Sequence, residues 1–188
     1  MTKQESITIP LHKPRIQEKL FFLLSGIIVS IPQTAFINGV LLPLVPTDYA
    51  IWLSVVVIAP LIEEFSKAFP LFFRHAETER SIFVLGFLVG LGFGIVEFVE
   101  YVVLLGAPIV LRVPGIFFHA SITSIVAFGI AKKRTFLYYL LAVALHFSNN
   151  LLAVLGPIWY LGGPAVIGVA YLLSYYFYSK TRERMIPF

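Results

Sequence analysis

Seven ionisable side chains fall inside apolar stretches of this 188-residue sequence: Glu63, Glu64 and Lys67, then Glu97 and Glu100, then His119, then His146. A charge at the centre of a bilayer costs roughly 2.5 to 3.5 kcal/mol on insertion scales, so each such group needs a partner, a wet cavity or a function. Glutamate and histidine together suit two tasks. A carboxylate in a low-dielectric pocket holds a proton to higher pH than in water and can take one from a water molecule, while imidazoles bind a metal or stabilise an oxyanion. That combination is a hydrolase constellation. Rival chemistries fail on inventory: Asp48 is the only aspartate, so a two-aspartate protease is excluded. No H-E-x-x-H occurs, no cysteine is present, and neither Ser66 nor Ser148 sits in a G-x-S-x-G turn.

Spacing decides which of these groups share a face. Glu63 and Lys67, Phe93 and Glu97, His119 and Thr123, and His146 and Asn150 are each four residues apart, so on helices every pair projects along one stripe. With a rise of 1.5 Å per residue, Glu63 lies about 15 Å from the cytoplasmic end of its segment, His119 and His146 roughly 18 Å, and Glu97 roughly 24 Å. Four segments deliver a Glu or His to the middle third of the bilayer. Gly86, Gly90, Gly92 and Gly94 precede Glu97 and let a neighbouring backbone approach closely. As a dinucleotide fingerprint these glycines fail, because their spacing is wrong and no strand precedes them.

The elements that carry these residues follow from composition. Hydrophobic residues make up 59% of the chain and charged residues 13%, against about a quarter charged in soluble domains, so the composition speaks against a water-soluble domain. Apolar runs near 20–43, 50–73, 82–105, 109–131, 135–156 and 158–179 read as about six transmembrane helices in an all-α, polytopic bundle. Gly162, Gly163 and Pro164 make the last run a candidate for a kinked or re-entrant element. With both termini cytoplasmic, twelve of the fourteen Lys and Arg lie on that side: Lys3, Lys13, Arg15, Lys19, Arg74, Arg80, Lys132, Lys133, Arg134, Lys180, Arg182 and Arg184. Lys67 lies within a span, and Arg112 alone falls at the opposite end. The basicity is therefore topological, and nucleic acid is not an expected partner. We divide the chain into a cytoplasmic arm (1–19), one transmembrane domain (20–179, with its motifs at 60–152) and a cytoplasmic tail (180–188). The first apolar run reads as a retained helix of a multi-pass protein of the cell membrane.

Taken in order, Ile62-Glu63-Glu64-Phe65-Ser66-Lys67, Gly90-x-Gly92-Phe93-x-x-x-Glu97, His119 with Thr123, and His146-x-x-x-Asn150 resemble the motifs of the PrsW-type intramembrane proteases. That group is related to the CAAX prenyl endopeptidases and the bacterial Abi or bacteriocin-immunity proteins (the CPBP superfamily), marked by E-E-x-x-x-R, F-x-x-x-H and H-x-x-x-N or D. Ala68 stands where the broader superfamily has arginine, Glu97 where it has histidine, and Phe98 where many PrsW-like chains have asparagine. The resemblance implies a peptidase acting on a membrane-anchored protein or peptide. It makes Glu63, with Glu64 beside it, the water-activating carboxylate, with Lys67 orienting or neutralising the pair. It makes Glu97, His119 and His146 the ligands of a metal such as Zn2+. In a metal-free glutamate mechanism, His146 and Asn150 would instead stabilise the oxyanion. Two other classes use the same residues: a proton- or ion-coupled transporter, and a non-catalytic immunity-like protein.

Overall fold

Long apolar runs in lipid satisfy their backbone by coiling into helices, and the computed structural model, which describes residues 12–50, 52–73 and 78–186, is helical almost throughout. Lys3, Arg74 and parts of the arm (1–11) and tail (187–188) lie outside the described residues. Helix α1 spans Ile16–Phe36 and is extended by a π-turn at Ile37–Leu41 before Pro43 and Pro46 end it. The expected 50–73 segment is wound in two ways. A π-helix, Trp52–Ile58, leads into α2, Ala59–Phe72. Pro60 sits at this junction and removes one backbone donor, which favours a change of winding there. Helix α3, Glu79–Val99, likewise continues as a π-turn, Glu100–Leu104. Helices α4 (Ile109–Ala131), α5 (Thr135–Val154) and α6 (Trp159–Lys180) complete the chain.

Helix α6 is continuous through Gly162, Gly163 and Pro164. The proline lies only six residues into the helix, so it forfeits one bond to the first turn. Gly163 also leaves room for the Trp159 indole, whose Nε1 would stand 2.6 Å from a Cβ there. Among the described residues, four helical stretches are long and apolar enough to cross a membrane: Glu79–Leu104, Ile109–Ala131, Thr135–Val154 and Gly156–Lys180. Large apolar side chains such as Val110, Leu161, Leu172 and Ile28 point outward, as they must if lipid surrounds the bundle.

Helix α4 is the central post, buried without interruption from Phe118 to Ala131. Its seam with α3 is made by glycines one turn apart. A Cβ on Gly86 would stand 2.4 Å from Ala127 Cβ, one on Gly90 2.3 Å from the His119 carbonyl, and one on Gly94 2.8 Å from Ile116 Cα. The expected small-residue interface is therefore present, and it runs antiparallel. Gly26 of α1 and Gly92 of α3 do the same for the α1–α3 contact, against Val89 and Leu23 carbonyls.

At the end of the bundle that carries the basic residues, the segment after α6 folds back. Thr78 pairs with Met185 as an isolated β-bridge, and Glu79 N donates to Arg184 O at 3.2 Å. Ile186 is buried with Phe22, Leu71, Ile82 and Leu85. Buried Glu79 ties this corner to the α4–α5 turn through Lys132 at 2.6 Å.

Candidate active site

Every ionisable residue that the sequence placed at mid-depth on α2, α4 and α5 arrives at one cluster, and Glu97 joins it from α3. Helix α2 turns Glu64 and Lys67 fully inward, where Lys67 Nζ donates to Glu64 Oε1 at 2.5 Å. The same oxygen lies 2.8 Å from His146 Nδ1 on α5. Lys67 Nζ is also 3.1 Å from His119 Nδ1 on α4 and 4.6 Å above the Phe93 ring on α3. His119 Nε2 lies 2.5 Å from Glu97 Oε2. Glu63, on the adjacent face of α2, brings Oε2 to 3.8 Å from His146 Nε2. The two imidazoles stand edge to face with centroids 5.1 Å apart, and Phe93 and Phe118 pack against them.

These contacts assign atoms to tasks. Because Glu64 holds His146 Nδ1–H, the His146 Nε2 lone pair points toward Glu63, the carboxylate–histidine arrangement that orients metal ligands. A lysine ammonium can only donate, so Lys67 fixes His119 with its acceptor at Nδ1 and its N–H at Nε2, directed at Glu97. Glu63 Oε2 and Glu64 Oε2 are buried without a hydrogen-bond partner. Donor atoms of Glu63, His119 and His146 lie within 4.8 Å of one another, so this trio could hold a metal ion. Two imidazoles and a carboxylate form an acceptable catalytic set. Bond lengths near 2.1 Å would require the side chains to close in by about 1 Å.

The remaining expected site residues sit around this centre. Thr123 is fully buried one turn below His119, and its hydroxyl has no partner. Asn150 is one turn beyond His146, and its Nδ2 donates 2.9 Å to the Val55 carbonyl of the π-helix. In π winding the Val55 carbonyl would take its bond from residue 60, and Pro60 has no N–H to give, which leaves this oxygen for Asn150. Sequence reasoning had no signal for Val55, nor for Tyr139, whose hydroxyl binds the Leu61 carbonyl at 2.8 Å and pins α5 to α2.

A cavity of about 530 Å³ reaches the cluster from the end opposite the basic termini. Glu97 and His119 form its floor, and Tyr101, Arg112, Asn149 and Trp159 stand in its walls. Side-chain exposure of 18% at Glu63 and 28% at Glu97, against 0% at Glu64, separates groups that can meet a substrate from one that cannot.

A Glu/His cluster able to hold a metal, sunk among membrane-length helices and reached by a cavity, is the arrangement expected of an intramembrane metal-dependent hydrolase. A family model described as PrsW family intramembrane metalloprotease matches residues 15–178, and the chain belongs to that family. No curated protein and no solved structure matches it.

Proposed function

We propose that this protein is a multi-pass intramembrane peptidase of the cell membrane that hydrolyses a peptide bond of a membrane-anchored protein. In this reading His119, His146 and Glu97 hold a zinc ion, and Glu63 is the proton-transferring base. The observation that carries it is the cluster itself: donor atoms of Glu63, His119 and His146 from three helices lie within 4.8 Å of one another, and His119 Nε2 lies 2.5 Å from Glu97 Oε2. The relation to the CAAX prenyl endopeptidase and Abi proteins, the six-span count and the cytoplasmic termini belong to the same proposal. They are supported by the motif order and by the basic residues gathered at one end.

The residue roles follow from the contacts. When bound, the metal supplies Lewis acidity toward the scissile carbonyl and the attacking water. Glu63 Oε2, buried and free of hydrogen bonds, accepts a proton as water attacks and returns it to the leaving amine. Glu64 touches no substrate. It holds His146 by Nδ1 and is itself neutralised by Lys67, so it is a positioning residue. Lys67 donates toward His119 Nδ1, so His119 Nε2 takes a metal only by giving up the proton it directs at Glu97, and Lys67 spreads its charge over the Phe93 ring. Asn150 ties α5 to the π-helix beside the cavity and keeps His146 at its depth.

The test is cleavage of single-span peptides in nanodiscs by the wild type and by Glu63→Gln. Cleavage that the variant lowers by a factor of a thousand or more, with an unchanged melting temperature, is the expected result. Equal rates for the two proteins would overturn the assignment of the base.

A further inference from the structure

Arg112 stands apart from the other basic residues, where its charge acts on Glu97 and Tyr101. Among the described residues it is the one Lys or Arg at the end of the bundle away from the others, against the usual charge distribution. It lies in the first turn of α4, where the positive end of the helix dipole disfavours a cation. Among the described residues it forms no ion pair with a carboxylate. Instead its guanidinium carbon stacks 3.2 Å from the centre of the Tyr101 ring. That stacking fixes the planar fork while leaving its edge N–H donors unspent on any carboxylate.

The place it occupies is the cavity that ends on Glu97 and His119. Asn149 stands in the same wall, with a buried Oδ1 that has no hydrogen-bond partner, and Trp159 gives an apolar face. The cavity thus offers one oriented cation, one unpaired acceptor and an aromatic wall. These suit an extended peptide, whose N–H can meet Asn149 and whose carboxylate can meet the guanidinium fork in a two-pronged pair.

We propose that Arg112 is the specificity-determining residue of this site and receives a carboxylate of the bound peptide, next to the bond held over Glu97 and His119. This rests on the peptidase reading for the scissile bond, but the binding step can be measured apart from it. The carboxylate can belong to an acidic side chain or to a free chain end, and both present the same oxygens.

The probe is a single-span Leu–Ala peptide of about 25 residues. It is unwound by Gly and Ser at the end facing the cavity and carries Glu, Gln or Lys there. A fourth peptide has a free C-terminal carboxylate at that place and no acidic side chain. Binding is measured in nanodiscs by fluorescence anisotropy to full-length Glu63→Gln protein, so that hydrolysis does not intervene. The Glu peptide should bind about tenfold or more tightly than the Gln peptide, a difference of about 1.4 kcal/mol. Adding Arg112→Gln should bring the ratio near one, Arg112→Lys should keep part of it, and Arg112→Glu should invert it in favour of the Lys peptide. Inversion inside one folded variant cannot arise from misfolding. Affinities that do not distinguish the peptides, or a ratio that persists in all three Arg112 variants, would overturn the proposal. Failure of the wild type to cleave any peptide would instead sink the peptidase reading while leaving the binding ratio to judge Arg112.

Discussion

Glu63 and Glu64 are neighbours in sequence with opposite surroundings. Glu64 is sealed between Lys67 and His146, whereas Glu63 keeps a buried oxygen without a partner near the imidazoles. Removing one member of a buried ion pair leaves an uncompensated charge, at a cost of about 3 to 5 kcal/mol. Glu64→Ala should therefore lower the melting temperature markedly, and Glu64→Ala with Lys67→Met should recover most of the loss. A Glu64→Ala protein as stable as wild type would show that the pair does not hold the bundle. Most of this cluster was legible in the sequence, because hydrocarbon makes each buried Glu, His or Lys conspicuous and a four-residue spacing tells which share a face. What spacing could not supply is the division of labour. Only the contacts reveal that Lys67 reaches His119 on another helix as well as Glu64 on its own. Asn150 shows the same limit: a place one turn from His146 was readable, while its bond to the Val55 carbonyl depends on a π-helix that no residue pattern announced.

The α3–α4 seam sets the distance between Glu97 and His119 at the level of elements. Gly90 lies under the His119 carbonyl, so a methyl group there pushes backbone against backbone. Gly90→Ala should cost about 1 to 3 kcal/mol by overpacking and lower peptidase activity, because it parts the Glu97–His119 pair. Gly168→Ala on α6 is the matched control. A Cβ there meets nothing within 4 Å, so stability should hold or rise by about 0.5 to 1 kcal/mol, the ordinary helix gain of alanine over glycine. Thermal melts of both variants decide the matter, and equal melting temperatures would contradict the role of the seam. The glycine run was readable as a close interface. The windings of the elements were less so: the expected 50–73 helix changes from π to α at Pro60, whereas Pro164 leaves α6 unbroken. A proline removes one donor in either case, and its depth in the helix and the packing around it decide the outcome.

For the whole molecule, the chain order and the antiparallel seam put the α3–α4 and α5–α6 connections at one end and the α4–α5 turn and C-terminal segment at the other. The sequence has no cysteine, so single substitutions report sidedness without background. Arg134→Cys and Arg182→Cys should react with an impermeant maleimide only after cytoplasmic access is opened, and Leu105→Cys and Leu155→Cys from the outside of intact cells. All four reacting from one side would refute the topology. The centre itself exists only when α2, α3, α4 and α5 are assembled, and in the proposed mechanism Glu97, His119 and His146 would hold the metal while Glu63 takes the proton of the attacking water. The measurement that tests this most directly is the metal content of purified full-length protein, taken together with cleavage of a single-span peptide, for wild type, Glu63→Gln, Glu97→Gln and His119→Ala. One metal per chain in the wild type and in Glu63→Gln, with cleavage lost only in the latter, is the expected result, together with loss of both metal and cleavage in Glu97→Gln and His119→Ala. A wild type that cleaves without metal would rule out the metal mechanism, and metal lost from Glu63→Gln but retained in Glu97→Gln would exchange the roles of the two glutamates.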